Sequence, residues 1–271
     1  MRYVVAAMRA SFYSYMCELK NNWGFAFFMV FWPYLMAFFM YGLGTMLGSI
    51  EEYSVKMNVA NPMLYIVASS SIMMSSIGIV DAIAREMIRH RWLGTLPYIM
   101  ASPPRFIVYA TAGPIPVAMF SSLVSVTSVL PVVALLEGLT GLIKMFIVLA
   151  MIYLAMLPLV GIGVVAAGIS LLAGEESNIA GSLTPFIILV SGVFYPQSIL
   201  PYVLQVVGRA FPLIYVVEAA KVLATYEHLP LRFLYTTVGV LTAMSFLYNT
   251  VTSPILLAAE KKVLRRGVYE E

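Results

Sequence analysis

Charge is what this chain has least of. Only 11% of its 271 residues are charged, against about 25% in soluble domains, while 61% are hydrophobic. A water-soluble core could not hide that much apolar surface, so lipid must be part of the solvent, and no room is left for a separate soluble domain. Cysteine occurs once, at Cys17, which excludes an intrachain disulfide and a thiolate metal cluster. The two histidines, His90 and His228, lie far apart, and Asp81 is the only aspartate. The H-E-x-x-H zinc motif and the Asp-rich diphosphate sites of prenyl transfer are therefore absent. No Gly-Lys pair occurs anywhere, so the G-x-x-x-x-G-K-[ST] phosphate loop is missing and ATP cannot be held in that manner. A net charge of +3 does not point to nucleic acid. A cleavable signal peptide is not expected, because the first apolar run, from Gly24, is too long and no small-residue cleavage site follows it.

What is abundant is the uncharged run. Crossing the hydrocarbon layer takes about 20 apolar residues, and runs of that order occur at 24–47, 62–80, 106–136, 145–174, 177–208 and 233–259. Pro114, Pro116, Pro131 and Pro158 fall inside two of them and predict kinked or tilted spans, since prolines are tolerated where neighbouring helices satisfy the freed carbonyls. The fifth run meets Pro196, Pro201, Arg209, Pro212, Glu218 and Lys221. It reads as a span over 179–195, followed by short helices at or dipping into the membrane surface. Arg2, Arg9 and Lys20, then Arg85, Arg89, Arg91 and Arg105, then Lys261, Lys262, Arg265 and Arg266 make eleven of the 16 basic residues. Six spans put all eleven on one side, which the positive-inside rule makes cytoplasmic; a seventh would expel the tail cluster. Asp81, Glu137 and Lys144 fall near span ends and read as solvated.

Residues 2–23 form an amphipathic helical pattern. Val4, Met8, Phe12, Tyr15, Met16, Leu19 and Trp23 share one arc, Arg2, Arg9 and Lys20 lie at its edge, and Ser11, Ser14, Glu18 and Asn21 lie opposite. Such a helix lies in the membrane plane with its cations snorkelling to headgroups. The expected fold is thus an all-α integral membrane protein: six transmembrane helices, an N-terminal interfacial helix at 2–23, and short re-entrant helices between spans five and six, in one domain over 1–271.

The segment between spans two and three carries the most information. Arg85, Arg89 and Trp92 fall on one helical face, and Trp92, Leu93 and Leu96 read as an exposed apolar tip beside basic residues. A tip of this kind could dock into a groove on a cytoplasmic partner; its plain alternative is a topogenic turn.

The stretch REMIRHRWLGTLPYIMASPPRFIVYA resembles the cytoplasmic loop of ABC-2-type transporter permeases, through Gly94, Thr95, Leu96, Ser102 and Pro103, with Pro97 standing where that family has Glu. The later stretch SGVFYPQSILPYVLQVVGRAFPLIYVVEAAKVL resembles the family's segment after span five, through Ser191, Gly192, Tyr195, Pro196, Leu200, Pro201, Pro212, Leu213, Tyr215, Glu218 and Lys221. The resemblance implies the membrane subunit of an ABC exporter in the cell membrane, multi-pass, with both termini cytoplasmic. It implies a coupling loop at 83–105 that receives force from a separate ATP-binding subunit, which holds the ATP and magnesium. A second permease copy or a related chain would complete the pathway, and 196–229 would shape an external gate. The chain itself would hold no cofactor and no metal, and would be a transport subunit, not an enzyme. Its cargo would be amphipathic: a drug, a lipid or a lipid-linked glycan. Glu218 and Lys221, three apart, could pair. The alternative from another class is an ion-coupled secondary transporter, which calls for mid-membrane titratable groups or an internal repeat, and neither stands out; an intramembrane enzyme would need an acid, base or metal constellation that is not seen.

Overall fold

The computed structural model describes residues 2–46, 49–101, 106–173, 179–226 and 228–266, and among them it is all helix, with no strand. In chain order the α-helices are α1 (Arg2–Asn21), α2 (Trp23–Met46), α3 (Ile50–Met57), α4 (Pro62–Trp92), α5 (Leu96–Ala101), α6 (Phe106–Ala112), α7 (Pro114–Ala173), α8 (Ile179–Ser191), α9 (Tyr202–Arg209), α10 (Pro212–Thr225) and α11 (Leu231–Arg266). A 3-10 turn at Gln197–Ile199 precedes α9.

Helix boundaries follow local chemistry. Ser49 caps α3, its side chain accepting from Glu52 N, and the helix stops at Asn58, whose left-handed φ of 55° Asn tolerates better than most residues. Asn61 caps α4 in the same way, Oδ1 accepting from Leu64 N at 3.1 Å, with Pro62 as the first helical residue. At its other end α4 closes through Gly94, at φ 66°, and a bond of 2.9 Å from Thr95 N to His90 O. That is the six-to-one bond of a Schellman cap, and it needs a residue free to adopt positive φ.

Four helical segments are long and apolar enough to cross a membrane: Trp23–Met46, Pro62–Ala84, Phe106–Ser170 and Leu231–Lys262. The third cannot be one rod. As a straight helix, α7 with its 60 residues would run about 90 Å, three times the hydrocarbon thickness of about 30 Å. It breaks at Gly138, with φ 63° and ψ −143°, and doubles back. The Tyr153 hydroxyl donates to Met119 O at 3.1 Å across 34 residues, a separation of about 50 Å along a straight helix. Gly141 lets the arms close, since a Cβ there would lie 2.8 Å from Val133 Cγ1. The segments expected as the third and fourth spans fall on the two arms of this hairpin. No loop joins them, and Pro131 and Pro158 sit inside continuous helix.

Burial orders the bundle. In their most apolar stretches α4 is 80% buried, whereas α2 is 11% and α11 17% buried, so α4 is central and the other two are peripheral. α4 packs along the α7 hairpin through Tyr65, Ile72, Ile79 and Ile83 on one side and Val126, Val133, Met145 and Ile152 on the other. Between helices in lipid, close packing replaces the hydrophobic effect. Small groups serve it: Ser70, Ser71 and Ser75 are buried with hydroxyls turned back onto carbonyls of their own helix, and Gly163 lies where a Cβ would meet Ile83.

Three features bear on the expected segments. α8 has 13 residues and ends at Ser191, about 20 Å of helix, shorter than the span expected over 179–195. α9 and α10 meet at 94°, and α10 is packed into the protein: Leu213, Val216, Val217, Ala220 and Leu223 are among its buried residues. The segment expected as a loop from residue 83 begins as helix, because α4 continues without a break to Trp92.

Candidate functional site

The two stretches singled out in the sequence lie at opposite ends of α4. At the Trp92 end, Trp92 is 74% and Leu93 64% exposed, and Tyr98 beyond them is 78% exposed. Leu96 is not part of this tip: it is 1% exposed and belongs to the core, a correction to the sequence reading. The Schellman turn explains it, since reversing the chain at Gly94 carries α5 back against the bundle. Thr95 and His90 hold the turn from inside. His90 Nδ1 lies 2.8 Å from Thr95 Oγ1, and His90 Nε2 lies 2.9 Å from the Tyr109 hydroxyl on α6. Gly94 and Thr95 thus have a local structural duty independent of any partner.

Arg89 is exposed and lines a cleft of about 80 Å³ with Ser11, Ser14 and Glu18 of α1 and with Pro114 and Val117 of α7. The polar residues of α1 therefore face the bundle at this cleft, while Phe12 and Tyr15 pack edge-on against Phe120 and the Tyr15 hydroxyl lies 3.0 Å from Ser121 Oγ. α1 leans on α6 and α7 along a mixed face, more than a helix simply floating in an interface would. The Arg85 side chain, Ser102 and Pro103 lie outside the described residues.

The other end of α4 is built around Tyr65, fully buried, whose hydroxyl donates to Val193 O at 3.0 Å. That bond pins the bend after α8, where Gly192 sits at φ 71°. Gln197 Nε2 donates to Val190 O at 3.1 Å, and Gly208 of α9 passes so close that a Cβ would lie 2.7 Å from both Val190 O and Gln197 Nε2. Tyr195 donates to Leu189 O at 2.5 Å and Tyr215 to Arg209 O at 3.1 Å. Pro196 and Pro201 precede the 3-10 turn and α9, and Pro212 opens α10. Tyr248 of α11 donates to Ala210 O between α9 and α10. Glu218 and Lys221, which could pair, make no ion pair within 4 Å among the described residues, and each feels the other's charge at longer range. Glu218 is exposed, while Lys221 lies with Nζ 5.8 Å from the Tyr65 ring centroid, within cation–π range.

Beside this segment lies a cluster that the sequence reading missed. Glu137, at the tip of the α7 hairpin, accepts from Asn61 Nδ2 at 2.6 Å and from Lys144 Nζ at 3.1 Å. The Lys144 and Glu137 side chains are 9% and 14% exposed, so they are not the solvated helix ends expected. Asn61 N donates to Ala224 O of α10 at 3.0 Å, and Thr225 Oγ1 approaches Asn58 O at 3.4 Å. One carboxylate and one carboxamide thereby tie the start of α4, both arms of α7 and the end of α10. A signal was available: Glu137 and Lys144 are the only charges between residues 106 and 174, opposite in sign and flanking two glycines.

Among the described residues no group of three His, Cys, Asp or Glu side chains gathers as a metal site. The polar groups at both ends of α4 hold backbone turns and helix ends together. No family model matches the chain, and no characterised protein matches it in sequence. Fold and composition define the class: an all-helical protein with several helices long and apolar enough to cross a membrane, consistent with a membrane protein.

Proposed function

We propose that the chain is the membrane-spanning permease subunit of an ABC exporter of the ABC-2 kind. It would be driven by a separate ATP-binding subunit and would work beside a second permease copy. The observation that carries this reading is the placement of the two family-like stretches. One surrounds the Gly94 turn, and the other packs on Tyr65 near the start of α4. The 31 residues of α4 separate them by about 46 Å, enough to put them on opposite faces of a bilayer.

In this reading the chain crosses the cell membrane six times with both termini in the cytoplasm, and α8 with the segment after it provides the fifth crossing and the external gate. Trp92 and Leu93 present an exposed apolar tip to the ATPase. Closure of the ATPase pair pushes on that tip, and α4, rigid and central, carries the displacement to the segment pinned by Tyr65. An amphipathic molecule is the cargo that such a thin polar inventory would suit.

The test is the double substitution Trp92→Ala with Leu93→Ala, in the permease co-expressed with an ATP-binding cassette subunit that copurifies with the unaltered chain. Both side chains are solvent-facing, so insertion and abundance should be unchanged. Buried aromatic anchors at interfaces are worth about 2 kcal/mol or more, so copurification of the ATPase should fall more than tenfold. Undiminished copurification and undiminished substrate-stimulated ATP turnover would refute the coupling role of this tip. ATP hydrolysis by the purified chain alone would refute the division of labour.

A further inference from the structure

The cleft between α1, α4 and α7 brings a carboxylate and a guanidinium together beside an apolar wall. Ser14 and Glu18 of α1 and Arg89 of α4 line it, and so do Pro114 and Val117 of α7. With the apolar helices laid across a bilayer, its depth follows from the chain. Arg89 lies five residues past Ala84, where the apolar stretch of α4 ends, and Glu18 five residues before Trp23, where that of α2 begins. Alternate crossing puts these two ends on one face of the membrane. Arg89 therefore stands about 7 Å outside its apolar stretch, at headgroup level, and the interfacial helix α1 lies at the same level. Pro114 and Val117 belong to the next apolar stretch, Phe106–Ser170, and so border the hydrocarbon. The protein leaves this cleft short of partners. Glu18 makes no ion pair within 4 Å among the described residues, and the enclosed Ser11 hydroxyl, packed where a Gly113 Cβ would lie 2.6 Å away, has no hydrogen-bond partner. Arg89 has an interaction within the protein, but a guanidinium carries five N–H donors and can hold a second acceptor beside the first.

We propose that this cleft binds the headgroup of an ethanolamine phospholipid, with the phosphate on Arg89 and the ammonium on Glu18. Arginine matches phosphate oxygens in a fork of N–H donors, and a primary ammonium gives the carboxylate a charge-assisted hydrogen bond with protons to spare for the Ser14 hydroxyl. The glycerol end and the first acyl carbons then run along Pro114 and Val117. The pairing of one acid with one base selects among lipids. A choline headgroup has no N–H to give Glu18, a glycerol headgroup brings no cation, and a serine headgroup sets a second carboxylate beside the first. The bound lipid would join α1 to α4 and α7 at the point where its polar residues turn toward the bundle. The inference needs neither the ATPase nor the Trp92 and Leu93 tip, so its failure would leave the test of the proposed function untouched.

The full chain, purified in detergent and stripped of lipid, is titrated with ethanolamine, choline and glycerol phospholipids of identical acyl chains, and bound lipid is counted by native mass spectrometry. The ethanolamine lipid should bind about tenfold more tightly than the other two, the worth of one charge-assisted hydrogen bond. Glu18→Gln should bring it down to the level of the choline lipid, while Arg89→Gln should weaken all three. Lys20→Gln, exposed on α1 and outside the cleft, should change none of them. Glycerophosphoethanolamine, the same headgroup without acyl chains, should fail to displace the lipid. Equal binding of the three lipids by the unaltered chain would overturn the proposal, and that comparison decides the matter even where a variant does not fold. So would an ethanolamine preference that survives Glu18→Gln, or displacement by the soluble headgroup, which would make the cleft a site for a water-soluble phosphodiester.

Discussion

Lys144→Met is the most informative single perturbation, because it separates a buried polar tie from a pair of solvated helix ends. The substitution keeps the length of the stem and removes the ammonium 3.1 Å from Glu137 Oε2. Glu137 would then retain only the Asn61 amide, at 2.6 Å, against a nearly enclosed negative charge. Removing one partner of a buried ion pair costs about 3–5 kcal/mol. With side chains 9% and 14% exposed, some water still reaches the site and the lower end applies, about 3 kcal/mol. For a chain of this size that corresponds to a fall in melting temperature of about 6 °C. The companion variant, Glu137→Gln with Lys144→Met, removes both charges while Gln still accepts from Asn61. It should lie within about 1.5 kcal/mol of wild type, since replacing a whole buried pair is often near neutral. The measurement is thermal unfolding in one detergent at one protein concentration, with wild type, both single variants and the double variant closing a cycle. A Lys144→Met shift under about 1 °C, or two single effects that simply add in the double, would show that no buried coupling exists.

Two further substitutions probe the close contacts of the fold. Gly208→Ala puts a methyl 2.7 Å from Val190 O, a backbone atom that cannot swing aside, and should cost about 1–3 kcal/mol by overpacking, read as a lower melting temperature and as earlier protease cleavage between α8 and α9. Leu96→Ala, fully inside the core, should cost about 2–5 kcal/mol and lower abundance, in contrast to Trp92→Ala at the exposed tip, which should leave the melting temperature unchanged.

The uncharged runs marked three of the long helices with good registration: a run of 24–47 became Trp23–Met46, one starting at 62 became the helix from Pro62, and one at 233–259 lies inside Leu231–Arg266. This was legible because the requirement is local. A segment passing through hydrocarbon must satisfy its backbone internally and carry few charges over about 20 residues, and both properties can be counted along the chain. The α4 cap could have been read for the same reason, since Gly94 ends a helix through its own φ, but in the sequence Gly94 stood out only through the family resemblance. The same reasoning misplaced Leu96, because whether an apolar residue just past a helix end is exposed depends on where the chain returns. It also read Glu137 and Lys144 as solvated, since nothing within either neighbourhood says that the other arm of a hairpin and the cap of α4 lie against them.

The sequence by itself determined the all-helical, apolar character of the chain and the position of the long helices near residues 23, 62 and 231, because these follow from composition within a window of one helix. Only the tertiary structure decided that the two arms of α7 meet without a loop, that Tyr65 anchors the bend at Gly192 and Val193, and that Asn61, Glu137 and Lys144 share one enclosed site. Each of these contacts joins residues brought together by the path of the chain. Its energy comes from burial and hydrogen-bond geometry, which no single segment possesses before the bundle closes.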